Sequence, residues 1–140
     1  MIYLDTSAAI PLFVPEPTSA AVDAWFEACD ETLISSDWIL TEFASALSIK
    51  VRCGELEKKQ SQAAWKDFES FCQSGLRLVT VSRSAFRQAA QLVHNVPSGL
   101  RSGDSLHLAM AIEAGAASIA TADVNLAKNA KLKGLAVNRF

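Results

Sequence analysis

Apolar positions along the chain fall into two patterns, short continuous runs and stripes at helical spacing. Ile2, Tyr3 and Leu4 run straight into Asp5, with Thr6 and Ser7 behind it. That predicts a short buried strand ending in a carboxylate, then a helix start. Residues 8–14 predict a short helix stopped by Pro15-Glu16-Pro17. Thr18 or Ser19 caps a second helix to about Cys29, with Val22, Trp25 and Phe26 on one side. Residues 32–35 read as a strand. Ser36 or Asp37 caps a third helix carrying Trp38, Ile39, Glu42, Phe43, Ala46, Leu47 and Ile49 up to Gly54. A fourth helix over 55–72 is polar outside, with Trp65, Phe68 and Phe71 inward. A strand over 76–81 leads to a fifth helix, started by Ser82 or Ser84 and running to about Val93. Beyond the Pro97-Ser98-Gly99 loop, Gly103 or Asp104 opens a sixth helix through Ala114, apolar enough to be buried all round. A strand over 117–121, a helix over 123–131 closed by Gly134 and a strand over 135–137 complete the chain.

Strands that alternate with helices over short connections predict an α/β fold: a parallel sheet of about five short strands between two helical layers. No repeat or low-complexity tract interrupts the pattern, and 140 residues suit a single domain over 1–140. No apolar run approaches the roughly 18 residues that cross a membrane. The N-terminus lacks a basic segment followed by a long apolar one, which predicts a cytoplasmic protein. Cys29, Cys53 and Cys72 are odd in number and lack CxxC spacing, so they predict reduced, buried, structural thiols.

The net charge of −2 argues against a nucleic-acid partner until the acids are sorted by setting. Most acids read as solvated surface: Glu55, Glu57, Asp67 and Glu69 on the fourth helix, Glu27, Asp30 and Glu31 after the second, and Glu16 in the Pro turn. Four do not. Asp5 follows an apolar strand. Glu42 lies one turn into an apolar helix, Asp104 begins the buried helix, and Asp123 follows a strand. Asp104 and Asp123 also read as helix caps, and Glu42 as a buried, partnered acid. Asp5, Glu42 and Asp123 lie at or one turn beyond strand ends, where parallel sheets gather their chemistry. Two unit charges ~4 Å apart repel by roughly 4 kcal/mol at an effective dielectric of 20. A cluster of such acids therefore needs protons or cations, and Mg²⁺ is the natural hard partner. Without these four, 13 basic residues face 15 − 4 = 11 acidic ones, a slightly positive remainder.

At these residues the sequence resembles PIN domains, and within them the VapC-like toxins of bacterial and archaeal toxin–antitoxin pairs. The resemblance spans nearly the whole chain. It rests on Leu4-Asp5-Thr6-Ser7-Ala8, on Glu42 within Leu40-Thr41-Glu42-Phe43-Ala44, on Arg101-Ser102-Gly103-Asp104-Ser105-Leu106-His107-Leu108-Ala109, and on Thr121-Ala122-Asp123-Val124-Asn125-Leu126-Ala127. It implies a Mg²⁺- or Mn²⁺-dependent endoribonuclease with Asp5, Glu42, Asp104 and Asp123 as both catalytic acids and metal ligands. It also implies a metal-activated water attacking RNA phosphodiesters, a homodimer, and inhibition by a cognate antitoxin. The alternative is a non-catalytic PIN-like RNA- or protein-binding module, which would be expected to lack one of the acids.

Around the quartet, Thr6, Ser7 and Thr121 are hydroxyls able to orient carboxylates, or simply caps and turns. Arg101, Lys50 and Arg52 are candidates for RNA phosphate contacts. Lys50 and Arg52, with Lys58 and Lys59, equally suit a solvated turn at Gly54. His107, three residues after Asp104 on an apolar helix, reads as a satisfied core histidine. Phe13 and Val14 predict a partly exposed apolar edge suited to a dimer or antitoxin groove. A phosphoryl-transfer protein using Asp5 as nucleophile would want a second Asp two residues on, where this chain has Ser7.

Overall fold

In the computed structural model, which describes residues 1–140, the strands are β1 Ile2–Leu4, β2 Leu33–Ser36, β3 Arg77–Val79, β4 Ser118–Thr121 and β5 Ala136–Arg139. All neighbours pair in parallel, in the order β3-β2-β1-β4-β5. The helices are α1 Thr6–Ala9, α2 Ser19–Glu27, α3 Trp38–Arg52, α4 Lys58–Ser74, α5 Arg83–His94, α6 Ser102–Glu113 and α7 Val124–Leu132, with 3₁₀ turns at Ile10–Leu12 and Val96–Ser98.

The period of two along each strand sorts the core into two halves. Ile2, Leu4, Leu33 and Ala120 face one layer and pack with Phe43 and Leu47 of α3 and Phe68 of α4. Tyr3, Ile34 and Ile119 face the other, with Ala85 and Ala89 of α5, Leu106 and Leu108 of α6 and Leu126 of α7. Burial on both faces suits the unbroken apolar run of the central β1, whereas the edge strands β3 and β5 are partly exposed and mix apolar with polar residues. No helix is long and apolar enough to cross a membrane.

Local chemistry moves several boundaries. The first helix starts at Thr6 and ends at Ala9; the turn beyond it holds Pro11, which has no N–H to donate to a continuing α-helix. The fourth helix begins three residues late, at Lys58, because Glu57 caps it and donates its backbone N–H to Gln60 Oε1 at 2.8 Å. The third strand shrinks to three residues at the sheet edge. Val14 is buried, and Phe13 packs edge-on against Phe43 and Phe68, so these two make no exposed apolar edge. The cysteines are free, but none is fully buried. Cys53 stands exposed where α3 unwinds into the Gly54 turn, and Cys29 and Cys72 are half-buried.

Candidate active site

Strand order reverses beside β1. The chain moves outward from β1 through β2 to β3, then returns to lay β4 on the other side. Adjacent connections then leave on opposite faces and open a crevice at the carboxyl ends of β1 and β4. Asp5 directly follows β1, and Asp123 follows β4 by two residues. The crossover helix α6 feeds β4 and runs back along the sheet, so its N-terminal turn, with Asp104, returns to the same edge. Glu42 comes from the second turn of α3, which leaves the end of β2. All four acids line one open cleft of about 560 Å³, together with Thr6, Ser7, Arg101 and Gly103.

Asp5 is almost fully buried, and its Oδ2 accepts hydrogen bonds from Ser7 Oγ and, at 2.8 Å, from Thr121 Oγ1. Those hydroxyls in turn accept the backbone N–H groups of Ala122 at 2.9 Å and Asp123 at 3.0 Å. Ser7 and Thr121 thus tie the end of β1 to the β4–α7 turn. Asp123 caps α7: its Oδ1 accepts the Leu126 N–H at 2.7 Å. Asp104 sits at the third position of α6 and accepts from Arg101, the backbone N–H at 3.3 Å and the side-chain Nε at 3.1 Å. Asp123 is thus the helix cap it reads as; the N-cap of α6 is Arg101, and Asp104 closes a capping box from the third position, so that each acid anchors one oxygen at a helix start and still lines the cleft.

Glu42 is held differently. Its Oε2 accepts from Thr6 Oγ1 at 2.7 Å and from His107 Nε2 at 2.6 Å. His107 is wholly enclosed. Nδ1 lies 3.0 Å from the Tyr3 hydroxyl, and Nε2 stands 3.4 Å from Asp5 Oδ1. It is the satisfied core histidine that its apolar helix predicts, but two of its partners are members of the quartet. The signal was present in the chain: period two puts Tyr3 and Asp5 on the face that α6 covers, and three residues separate Asp104 from His107.

Gly103 or Asp104 was expected to open α6, but the helix starts at Ser102, and Gly103 is its second residue. It also gives Glu42 its space. A Cβ there would lie 3.3 Å from Glu42 Cδ, far inside contact distance of Oε1, and 3.4 Å from Trp38 Nε1. The Trp38 N–H is the one buried side-chain nitrogen or oxygen without a hydrogen-bond partner. It is near enough to help hold Glu42 ionised, but its geometry falls short of a hydrogen bond.

Charge is unevenly balanced across the cleft. Burial works to raise the Glu42 carboxyl, but the hydrogen bonds and charge of His107, with Thr6, hold it below the usual carboxylate range. Burial also works against a charged His107. Its contacts with Tyr3, Glu42 and Asp5 reverse that and push it up to about 10. At Asp104, burial and the charges of Asp123 and Asp5 push the carboxyl up, against the pull of Arg101. Arg101, with its side chain 80% exposed, spans the mouth from Asp104 to Asp123, its far nitrogen 3.5 Å from Asp123 Oδ2.

The donors are carboxylate oxygens, and burial, with the charges of Asp123 and Asp5, raises the Asp104 carboxyl. Both features fit a hard divalent cation. Asp5, Glu42 and His107 also present one ligand atom each within 4.8 Å of one another. Lys50 and Arg52 are not brought to the cleft. Lys50 pairs with Glu16 and, at 3.2 Å, with Glu55; Arg52 donates to Ser48 Oγ at 2.8 Å. Ser45, Ala46 and Ile49 of α3 line the cleft instead.

The PIN domain family model matches residues 2–132. No curated protein matches the chain significantly. Among solved structures, the fold is similar to Mycobacterium tuberculosis VapC20, described as a sarcin-ricin loop cleaving toxin. That match has a TM-score of 0.74 and 18% identity, over 92% of this chain and 95% of that one. VapBC2 from Rickettsia felis, bound to promoter DNA, matches with a TM-score of 0.68 and 21% identity, over 100% and 99% of the two chains. FitAcB from Neisseria gonorrhoeae gives 0.67 and 18%, over 98% and 96%.

Proposed function

Since the chain belongs to the PIN domain family, we propose that it is a Mg²⁺- or Mn²⁺-dependent endoribonuclease and the toxin of a VapBC-like toxin–antitoxin pair. One observation carries the reading: four acids from β1, α3, α6 and the β4–α7 turn line a single cleft. Asp5, Glu42, Asp104 and Asp123 would hold the ion. When bound, it supplies a water of lowered pKa and offsets charge on the phosphate. The chain's own groups do the rest. Ser7, Thr121, Thr6 and His107 hold Asp5 and Glu42 in place before substrate arrives. Arg101 stands at the mouth, positioned to turn from Asp104 and Asp123 to an RNA phosphate. The complete quartet favours catalysis over the non-catalytic binding module.

Likeness to toxins of known antitoxin pairs supports a protein antitoxin as partner. A homodimer in the cytoplasm belongs to the same proposal; sedimentation of the purified chain tests the dimer.

The deciding experiment incubates the chain with total RNA and Mg²⁺. Wild type should cut it into fragments bearing 5′-phosphates. Asp5→Asn should retain the Ser7 and Thr121 bonds while losing charge, and cut at least 10²-fold more slowly. Cleavage by Asp5→Asn at the wild-type rate removes the assignment. RNA binding without cleavage by wild type supports the non-catalytic module.

A further inference from the structure

His107 is wholly buried beneath the candidate site, and its ring nitrogens reach two ways, Nε2 to the cleft acids and Nδ1 to Tyr3 in the sheet. Nε2 meets Glu42 Oε2 at 2.6 Å and Thr6 Oγ1 at 3.1 Å, and Nδ1 meets the Tyr3 hydroxyl at 3.0 Å. Tyr3 is fully buried and donates to Ser36 Oγ at 3.0 Å, and Ser36 is itself fully buried at the end of β2. A nitrogen 2.6 Å from a carboxylate oxygen must carry the proton between them, so Nε2 is the donor whatever Nδ1 does. The ring stands edge-on to Tyr3, with centroids 5.7 Å apart, which limits its swing. The chain β2–Ser36–Tyr3–His107–Glu42 therefore joins the middle of the sheet to a carboxylate borne on a surface helix.

We infer that His107 is a positioning residue: its Nε2–H fixes the Glu42 carboxylate, and through Tyr3 sets Glu42 relative to Asp5, so that the two acids can share one cation. The inference rests on the metal-site reading above. Outer partners that orient a ligand typically change metal affinity by about 10–100-fold when removed.

The test measures Mn²⁺ binding to the purified chain by the electron paramagnetic resonance of free ion, without RNA. His107→Gln supplies an amide N–H about where Nε2 lies; His107→Leu supplies similar bulk and no donor. Leu should weaken Mn²⁺ binding by about 10–100-fold, and Gln should restore it to within about threefold, even if both lower the melting temperature equally. A purely structural role predicts that affinity follows stability, with no rescue by Gln. A role as direct nitrogen ligand predicts loss in both variants. Either result overturns the inference, as does unchanged affinity in folded His107→Leu. Should His107→Leu not fold, Tyr3→Phe carries the test: it frees Nδ1, should weaken binding severalfold, and overturns the inference if it does not. Failure of wild type to bind Mn²⁺ at all removes the metal reading and this inference with it, an outcome distinct from the others.

Discussion

Gly103→Ala should leave α6 intact and damage the site. Position 103 is the second residue of α6 and does not need a positive φ, so the backbone accepts alanine, which a helix interior favours over glycine by about 1 kcal/mol. The obstacle is Glu42. The new methyl would lie 3.3 Å from Glu42 Cδ and inside the 3.0 Å that Cβ atoms rarely breach at Oε1. The carboxylate must retreat by roughly 1 Å, and misplacements of that size in a reacting geometry cost on the order of 10²-fold in rate. It cannot retreat freely, because Oε2 is pinned by Thr6 at 2.7 Å and His107 at 2.6 Å. Losing both bonds would cost roughly 3–6 kcal/mol, at about 1.5–3 for each bond to a charged group. The Glu42 side chain is 26% exposed, so a rotated carboxylate regains water and the loss falls near the low end. After the helix gain, a net of about 2 kcal/mol remains, or a melting temperature lower by roughly 5–10 °C.

Differential scanning calorimetry, with Mn²⁺ titration and RNA cleavage alongside, reads this directly. A double-mutant cycle isolates the steric term: in a Glu42→Ala background there is no carboxylate to strike, and Gly103→Ala should be neutral or slightly stabilising. The expected coupling is about 2–3 kcal/mol. Equal effects of Gly103→Ala in both backgrounds, or unchanged Mn²⁺ affinity in the single variant, would refute the assignment of Gly103 as the space for Glu42.

Three other outcomes follow from the same geometry. Saturating Mn²⁺ should stabilise the chain by about 2.7 kcal/mol at a hundredfold excess over the dissociation constant; chelator should reverse the rise in melting temperature, and Asp5→Asn should lack it. Arg101→Gln, which withdraws a mobile cation from Asp104 and Asp123, should tighten Mn²⁺ binding by up to about fivefold and weaken RNA binding; weaker ion binding would show that Arg101 supports rather than competes. Burial, with Glu69 nearby, pushes the Cys72 thiol up to about 11. At pH 8 only about 0.1% is thiolate, so its labelling by Ellman's reagent should quicken about tenfold per pH unit towards pH 11, well behind exposed Cys53; equal rates at pH 8 would contradict the burial.

Most of the sheet was legible because each strand carries its own evidence. Ile2, Tyr3 and Leu4 are a short apolar run and Ser118 to Thr121 a short run of small and β-branched residues, both bounded by turns or caps, and helices between them dictate parallel pairing. Three acids were placed by their distance from strand ends. Asp104 was harder to place, since it precedes its strand by a whole helix; the geometry that returns it is the antiparallel course of a crossover helix. Azimuth and long-range pairing were not legible. Periodicity says that His107 faces inward but not that Glu42 and Asp5 wait there, and nothing near Lys50 in sequence marks Glu16 as its partner, 34 residues earlier. Gly103 was invisible for a related reason: the space it leaves belongs to a side chain from another helix.

Sequence alone leaves Asp104 and Asp123 open between cap and site ligand; in the folded chain, binding at a helix start does not take either acid out of the cleft. A carboxylate has two oxygens, and three of these acids divide them. Asp5 gives Oδ2 to Ser7 and Thr121 and turns Oδ1 towards His107; Asp123 gives Oδ1 to the α7 N-terminus and turns Oδ2 towards Arg101; Glu42 gives Oε2 to Thr6 and His107 and rests Oε1 against Gly103. The anchored oxygen fixes the position of its partner before any cation or substrate arrives, so the repulsion of assembling the cluster is met during folding by hydrogen bonds from the chain itself. That is why Asp5 and Asp123 stand at helix starts, whereas Glu42, a turn into α3, draws its donors from Thr6 and His107. An N-terminal turn supplies donors for one oxygen and a favourable dipole for the charge, and the crevice between β1 and β4 leaves the other oxygen facing the cleft.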